Sequence, residues 1–202
     1  MLASAFTRHV EFSQKLAKKI LRYLARYKAL GLNSTWNGSG TTDTVPNLGL
    51  SGLAIFTDAG FVGFNLKSQS GVLVLWGGTV VLWRSGRQST TATSTSEAEP
   101  TAGSLGTQIG MGLQCLLADW GLASTLRLRW DNRSTLSIAH LGGTWRPRHY
   151  AVRAQAVREL LDLGLVTLEC VPTGDRVADV LTKALPSQLV QSFIGQFFVK
   201  SQ

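Results

Sequence analysis

The order of elements legible in the chain predicts an α/β fold in which a mixed sheet carries helices on its faces. Three observations point there. Hairpin-type strands come first, and helix, strand, helix, strand and helix then alternate, which calls for parallel as well as antiparallel pairing. At 202 residues with 44% hydrophobic side chains the chain can fill one core, and only 16% of its residues are charged, which separates it from disordered sequences. No internal repeat is present, which argues against a solenoid or propeller.

Taken in order, Phe12 to Leu32 has helical periodicity: Leu16, Ile20, Leu21, Tyr23, Leu24 and Tyr27 recur on one face, with Lys15, Lys18, Lys19, Arg22, Arg26 and Lys28 interleaved. Asn33 to Asn47 is rich in Gly, Ser, Thr and Asn and reads as a linker. Leu53 to Thr57, Val72 to Trp76 and Val80 to Trp83 are β-type runs, the last two joined through Gly77-Gly78-Thr79 as a hairpin. Ser94, Thr95 and Ser96 offer N-caps for a helix that runs to Trp120 and closes at Gly121.

That helix carries Gly103, Gly106, Gly110 and Gly112, each costing about 1 kcal/mol against Ala in an exposed interior, so tertiary packing must hold it together. Leu126 to Trp130 alternates as a strand into Asp131, and Ser134 to His140 reads as a short helix. A basic helix from Tyr150 to Leu163 ends at Gly164, followed by the strand Val166 to Val171. Gly174 or Asp175 caps a helix through Val177, Val180 and Leu181, and a last apolar helix is expected over Leu189 to Val199.

The net charge of +8 favours a polyanionic partner, nucleic acid or an anionic membrane surface. The longest apolar runs fall far short of the roughly 20 residues of a spanning helix, so no membrane partner is expected. The N-terminal residues lack a signal-peptide core, from which an intracellular location, cytoplasmic or nuclear, is expected. Cys115 and Cys170 have no metal-ligand spacing and are expected to be reduced, buried thiols.

Only 12 acidic residues occur in this basic chain, so their placement is informative. Asp58 ends the first strand, Glu99 opens the long helix, Asp131 ends a later strand and Asp179 lies one turn into a late helix. Strand ends and helix starts are where open α/β sheets gather ligand groups. Converging carboxylates repel one another unless a cation neutralises them. Oxygen-only ligation suits Mg2+ or Mn2+, and two such ions about 4 Å apart can activate water and stabilise the leaving oxygen in phosphodiester cleavage. Each residue also suits a plain structural role: Asp58 in a turn with Gly60, Glu99 in a capping box with Ser96, Asp131 as a helix cap, Asp179 as a solvated helix residue.

Several segments together resemble the ribonuclease H region of copia-type retrotransposon Pol polyproteins, in that family's order. AKKILRYLARYKALGL resembles the helix joining polymerase to nuclease, and LAIFTDAGFVG the first strand with its catalytic Asp. SQSGVLVLWGGTVVLWRSGRQSTTATSTSEAE resembles the hairpin and the Glu that opens the helix. LRWDNRSTLSIAH, RPRHYAVRAQAVRELLDLG and VTLECVPTGDRVADVLTKALP resemble the third-carboxylate strand, the basic helix, and the last strand with its Asp.

The resemblance implies a ribonuclease H-like mixed five-stranded sheet with helices on both faces. The expected layout is a basic helix and linker over 1–47, where the polymerase connection ends, the nuclease domain over 48–186 and a C-terminal helix over 187–202. It further implies hydrolysis of the RNA strand of RNA–DNA hybrids, with Asp58, Glu99, Asp131 and Asp179 as catalytic ligands of two Mg2+ or Mn2+ ions, and the polymerase part of the same polyprotein as a partner. Glu99 is chosen over Glu97 because the family's ligand is the second Glu of Glu-Ala-Glu. The chain departs from the family at Gly60, where a second acidic residue is common, at Pro100, where an aromatic is common and which is expected in the helix's first turn, and at Tyr150 or Ala151, where an acid is common. These departures keep open a second reading, a degenerate module that binds nucleic acid without turnover.

Arg84, Arg87 and Gln88 after the hairpin, and Arg146, Arg148, His149 and Arg153 around the basic helix, are the residues expected to meet hybrid phosphates. A solvated, solubilising face is the alternative for each. Trp76, Trp83, Trp120 and Trp130 are expected in the core, and Trp145 is the candidate for nucleic-acid contact.

Overall fold

The computed structural model describes residues 10–32, 52–61, 67–92, 94–131, 148–171 and 176–200. The linker, the expected Ser134 to His140 helix, Trp145 and Arg146 lie outside them. The chain divides into two compact units, Met1–Asn33 with Phe198–Gln202, and Ser34–Phe197.

In the smaller unit, helix α1 covers Val10–Arg26 and stops short of the expected Leu32. A turn closes it, with Leu30 N–H donating to the Tyr27 carbonyl at 3.0 Å, and β1 (Leu30–Leu32) follows. This strand pairs antiparallel with β7 (Phe198–Lys200), Leu30 opposite Lys200 and Leu32 opposite Phe198. Both terminal helices therefore end earlier than their periodicity suggests, because the residues beyond them satisfy their backbone groups across to each other.

The larger unit is built on β2 (Gly52–Gly60), β3 (Gln69–Trp76), β4 (Thr79–Arg87), β5 (Thr125–Asp131) and β6 (Thr167–Val171), in the order β4-β3-β2-β5-β6. β2, β3 and β4 pair antiparallel, and β5 and β6 join β2 in parallel, which is the mixed five-stranded sheet expected. Gly77 and Gly78 make the tight turn of the β3–β4 hairpin with φ of 56° and 83°, a left-handed pair that suits the sheet's twist and that bulkier residues resist.

Helix α2 (Thr95–Asp119) lies against the sheet, and three of its glycines explain why it forms. A Cβ at Gly103 would come within 1.9 Å of the Trp130 ring, at Gly106 within 2.4 Å of Thr57 and at Gly110 within 2.1 Å of Ile55. Spaced by three and four residues, these glycines line one helix face and let the backbone descend onto β2 and β5. Burial of Leu53, Ile55, Val72, Val74, Leu126, Leu128 and Trp130 beneath it supplies the energy that offsets their low helix propensity. Gly112 faces open space.

α2 and helix α3 (Arg148–Asp162) close alike. Gly121 and Gly164 take φ of 75° and 67°. Their N–H groups and those of the next residues, Leu122 and Leu165, return to the last-turn carbonyls of Ala118, Leu117, Leu161 and Leu160 at 2.9 to 3.0 Å. The expected late helix through Val177 is shorter and tighter than an α-helix, a single 3-10 segment, η1 (Val177–Leu181), with α4 (Ser187–Phe197) after it.

The core differs from expectation at two tryptophans. Trp130 is fully buried and Trp76 packs at the core's margin, but Trp83 is 60% and Trp120 67% exposed. Trp83 lies on the sheet-edge strand β4, and Trp120 is the residue that caps α2. Both cysteines are exposed as well, Cys115 on the helix side away from the glycines and Cys170 on the other edge strand.

Candidate active site

Strand β2 is buried along nearly its whole length, so Asp58 carries a carboxylate into the interior, where it needs partners. Asp58 is 3% exposed, and both of its oxygens are engaged. The Thr182 hydroxyl donates to Oδ2. Lys183 Nζ donates to Oδ1 at 3.1 Å and, with the same ammonium, to Asp179 Oδ1 at 2.9 Å.

The segment that brings these groups together is η1 and its exit turn, where Thr182 and Lys183 N–H both return to the Asp179 carbonyl, at 3.1 and 2.9 Å. Two glycines make room for it. A Cβ at Gly71, opposite Asp58 on β3, would lie 2.8 Å from Thr182 Cγ2, and one at Gly60 would lie 2.8 Å from the Thr182 carbonyl oxygen. The departure at Gly60 thus has a local cause: a side chain there meets the backbone of the turn that delivers Thr182 and Lys183.

Electrostatically the cluster is a pair of carboxylates on one ammonium. Burial pushes the Asp179 carboxyl above its ordinary range, and the nearby Asp58 charge adds to this, while the hydrogen bond from Lys183 pulls the other way. For Lys183, burial works against the charged form, but the hydrogen bond to Asp179 and the field of Asp58 outweigh it and hold the ammonium above the ordinary lysine range.

Glu99 comes from the second turn of α2 and is 8% exposed. Its Oε1 accepts the backbone N–H of Ala59 at 3.4 Å, which places the carboxylate against β2 one residue beyond Asp58. Glu97 is also buried, and its carbonyl accepts the Thr101 hydroxyl at 3.2 Å. Pro100 is the sixth residue of the helix, past the first turn where it was expected, and α2 continues through it.

The backbone of Asp131 ends β5 opposite Val171. Asp131 and Asp58 each stand two residues beyond the paired couple Phe56 and Arg129, so these neighbouring parallel strands carry them to the same level. The Asp131 side chain lies outside the described residues. A small pocket opens here, lined by Asp58, Arg129, Trp130, Val171, Arg176 and Asp179 among others. Arg129 crosses it in an ion pair with Glu169 at 2.8 Å, its guanidinium 5.3 Å from the centre of the Phe56 ring.

Asp58, Asp179 and Glu99 therefore come to one end of the sheet. Among the described residues no group of three His, Cys, Asp or Glu side chains stands close enough to hold a metal ion. The donor set nevertheless fits a hard divalent cation: Asp58 and Asp179 offer only oxygens, and they already share a positive charge between them, with the ammonium as a stand-in ion.

Of the residues expected to meet nucleic acid, Arg84 and Arg87 are exposed on β4. Gln88 is a correction. It is 4% exposed, and its amide donates to the Ser70 hydroxyl at 2.9 Å and the Ala98 carbonyl at 2.8 Å, joining β3 to the start of α2. Arg153 spans inward from α3 to the Thr101 and Thr90 hydroxyls at 3.1 and 3.4 Å, bracing the same helix start. Arg148 and His149 lie in the first turn of α3, their side chains outside the described residues, as is Arg146.

Sequence reasoning missed Thr182, Lys183 and Arg129. For Lys183 a signal existed, since it follows Asp179 by four residues, the spacing of a helical ion pair. Thr182 carried none, because its partner lies on a strand far away in sequence.

No protein-family model matches the chain. It is 30% identical over 147 residues to the retrovirus-related Pol polyprotein from transposon TNT 1-94 of Nicotiana tabacum, a match covering 69% of this chain and 11% of the relative. It is 32% identical over 123 residues to the truncated transposon Ty1-A Gag-Pol polyprotein of Saccharomyces cerevisiae, covering 59% of this chain and 10% of that protein. The chain thus spans about a tenth of these relatives' length.

Among solved structures it is similar to a ribonuclease H1 isolated from compost, with a TM-score of 0.51 and 17% identity over 65% of this chain and 93% of that one. It is also similar to the N-terminal ribonuclease H domain of a Mycobacterium tuberculosis protein, with a TM-score of 0.50 and 18% identity over 70% of this chain and 98% of that one. At these identities the likeness is one of fold.

Proposed function

We propose that this chain, a relative of retrotransposon Pol polyproteins with the ribonuclease H fold, is a metal-dependent nuclease that hydrolyses the RNA strand of an RNA–DNA hybrid. The observation that carries the reading is the convergence of Asp58, Asp179 and Glu99 at the end of the sheet where the backbone of Asp131 also arrives. Asp58 and Asp179 stand close enough to repel, a cost that a cation between them offsets.

Asp58, held by its pairing with Gly71 on β3, and Asp179, held by η1, would bind a divalent cation, Mg2+ or Mn2+. Glu99 and Asp131 would complete the oxygen set for a pair of ions. When bound, such ions supply an activated water and charge stabilisation at the leaving oxygen. The protein's own part is to orient: the Thr182 hydroxyl fixes the rotation of the Asp58 carboxylate, and the Ala59 N–H that of Glu99. Exposed Arg84 and Arg87, with Arg146, Arg148 and His149, would neutralise hybrid phosphates. In the relatives this region is a small part of a longer polyprotein, and the polymerase part is the natural partner.

A second reading, a binding module without turnover, draws on the ammonium already seated between Asp58 and Asp179. One experiment separates the two: a labelled RNA–DNA hybrid incubated with the protein and with Asp131→Asn, with and without magnesium. Cleavage of the RNA strand by the parent alone, and only with magnesium, is expected. Binding without cleavage under every condition establishes the second reading instead.

A further inference from the structure

Lys183 is the cation that the described structure places on two of the proposed metal ligands. Its Nζ bonds Asp58 Oδ1 at 3.1 Å and Asp179 Oδ1 at 2.9 Å, so one ammonium satisfies an oxygen of each carboxylate at once. Asp58 is almost wholly buried, and without that charge its repulsion with Asp179 would be poorly screened. The lysine differs from both acids in exposure. Its side chain is 39% exposed, against 5% for Asp58 and 20% for Asp179. The acids sit on a central strand and on η1, whereas the ammonium rides on a flexible four-carbon stem at the surface. A divalent ion cannot bridge the same oxygens while the ammonium holds them, and the stem has solvent to move into.

We infer that Lys183 is an internal counter-ion for Asp58 and Asp179 that a divalent cation must displace to enter the site, so that it holds the metal-free site together and sets how tightly metal binds. This rests on the metal-dependent reading above. Lys183 acts through the two carboxylates and is therefore a positioning residue. An ordinary structural ion pair predicts that its loss disorders the site and weakens metal binding; a displaceable counter-ion predicts the opposite sign.

The test is calorimetric titration of Mg2+ into the whole chain, without substrate, beside melting in a chelator. Lys183→Met keeps the stem and removes the charge. It should lower the metal-free melting temperature and tighten Mg2+ binding about tenfold or more, since a unit charge a few ångströms from the ion is lost. Lys183→Arg should retain weak binding. Lys67→Met, which removes a charge bonded at 3.1 Å to the Ser89 carbonyl away from the carboxylates, should leave the affinity unchanged.

If Lys183→Met does not fold, Lys183→Gln, which keeps a donor without charge, serves the same titration. Unchanged or weaker Mg2+ binding in the neutral variants overturns the inference and leaves the metal-dependent reading intact, provided the parent binds Mg2+. Equal tightening by Lys67→Met also overturns it, because the effect is then one of net charge. If neither the parent nor the variants bind Mg2+, both the inference and the metal-dependent reading fall.

Discussion

The two faces of the five-stranded sheet are made from the same strands and do opposite things. On the face under α2, Ile55, Thr57, Val72, Leu126, Leu128 and Trp130 meet a helix whose glycines admit them to closer contact than any other residue would allow. On the other face, residues one step along each strand include Asp58, which meets the hydroxyl of Thr182 and the ammonium of Lys183, and Arg129 and Glu169, which pair with each other. The first face is specified by shape and tolerates almost no added volume. The second combines buried Ala54, Phe56, Leu73 and Leu75 with the charged cluster around Asp58 at one end. A single residue of strand register separates Thr57, against the glycine helix, from Asp58, against Thr182 and Lys183.

The largest expected effect on one face alone is that of Asp58→Asn. On the proposed function Asp58 is a metal ligand, and removing its charge should lower hybrid cleavage about a thousandfold or more, with circular dichroism unchanged and hybrid binding retained. A variant that cleaves like the parent would show that the charged face is structural. The converse is Gly103→Ala on the packed face, where the new methyl overlaps the Trp130 ring. It should cost about 3 kcal/mol in denaturant unfolding while Mg2+ affinity of the folded fraction stays close to that of the parent. A large loss of Mg2+ affinity in the folded fraction would mean that the faces are not independent.

Arg153 probes the link between the faces, because it braces the start of α2 that presents Glu99. Arg153→Met should lower stability by about 1 kcal/mol through its lost hydrogen bonds and weaken Mg2+ binding severalfold. If hybrid binding falls and stability does not, the guanidinium serves phosphate rather than Thr101. The smallest change expected is a gain. Gly112→Ala, on the open side of α2, should stabilise by about 1 kcal/mol, the opposite sign to Gly103→Ala in the same helix. A loss there would show that this helix side is covered after all.

What the sequence determined by itself was everything carried by short-range pattern. The Gly-Gly hairpin, the glycine caps at Gly121 and Gly164 and the alternation that makes strands each depend on a few consecutive residues, and all were legible. So was the need for packing to rescue a helix with four glycines, although which of them touch the sheet was not. The pattern puts Asp58 on the right strand but at its end, whereas β2 runs two residues further to Gly60.

The tertiary structure alone decided where distant segments satisfy one another. Leu30–Leu32 and Phe198–Lys200 continue helical periodicity, yet become strands because each supplies the other's backbone partners. Gln88 has the composition of a surface residue but is buried, because Ser70 and the Ala98 carbonyl accept its amide. Trp83 has the composition of a core residue but is exposed, because its strand falls at the sheet's edge. Thr182 and Lys183 became part of the site only when η1 folded onto Gly60 and Gly71, a contact between segments more than a hundred residues apart. Local propensity records what a residue prefers, whereas burial and pairing depend on which distant residue arrives beside it, and that information resides in the packed chain as a whole.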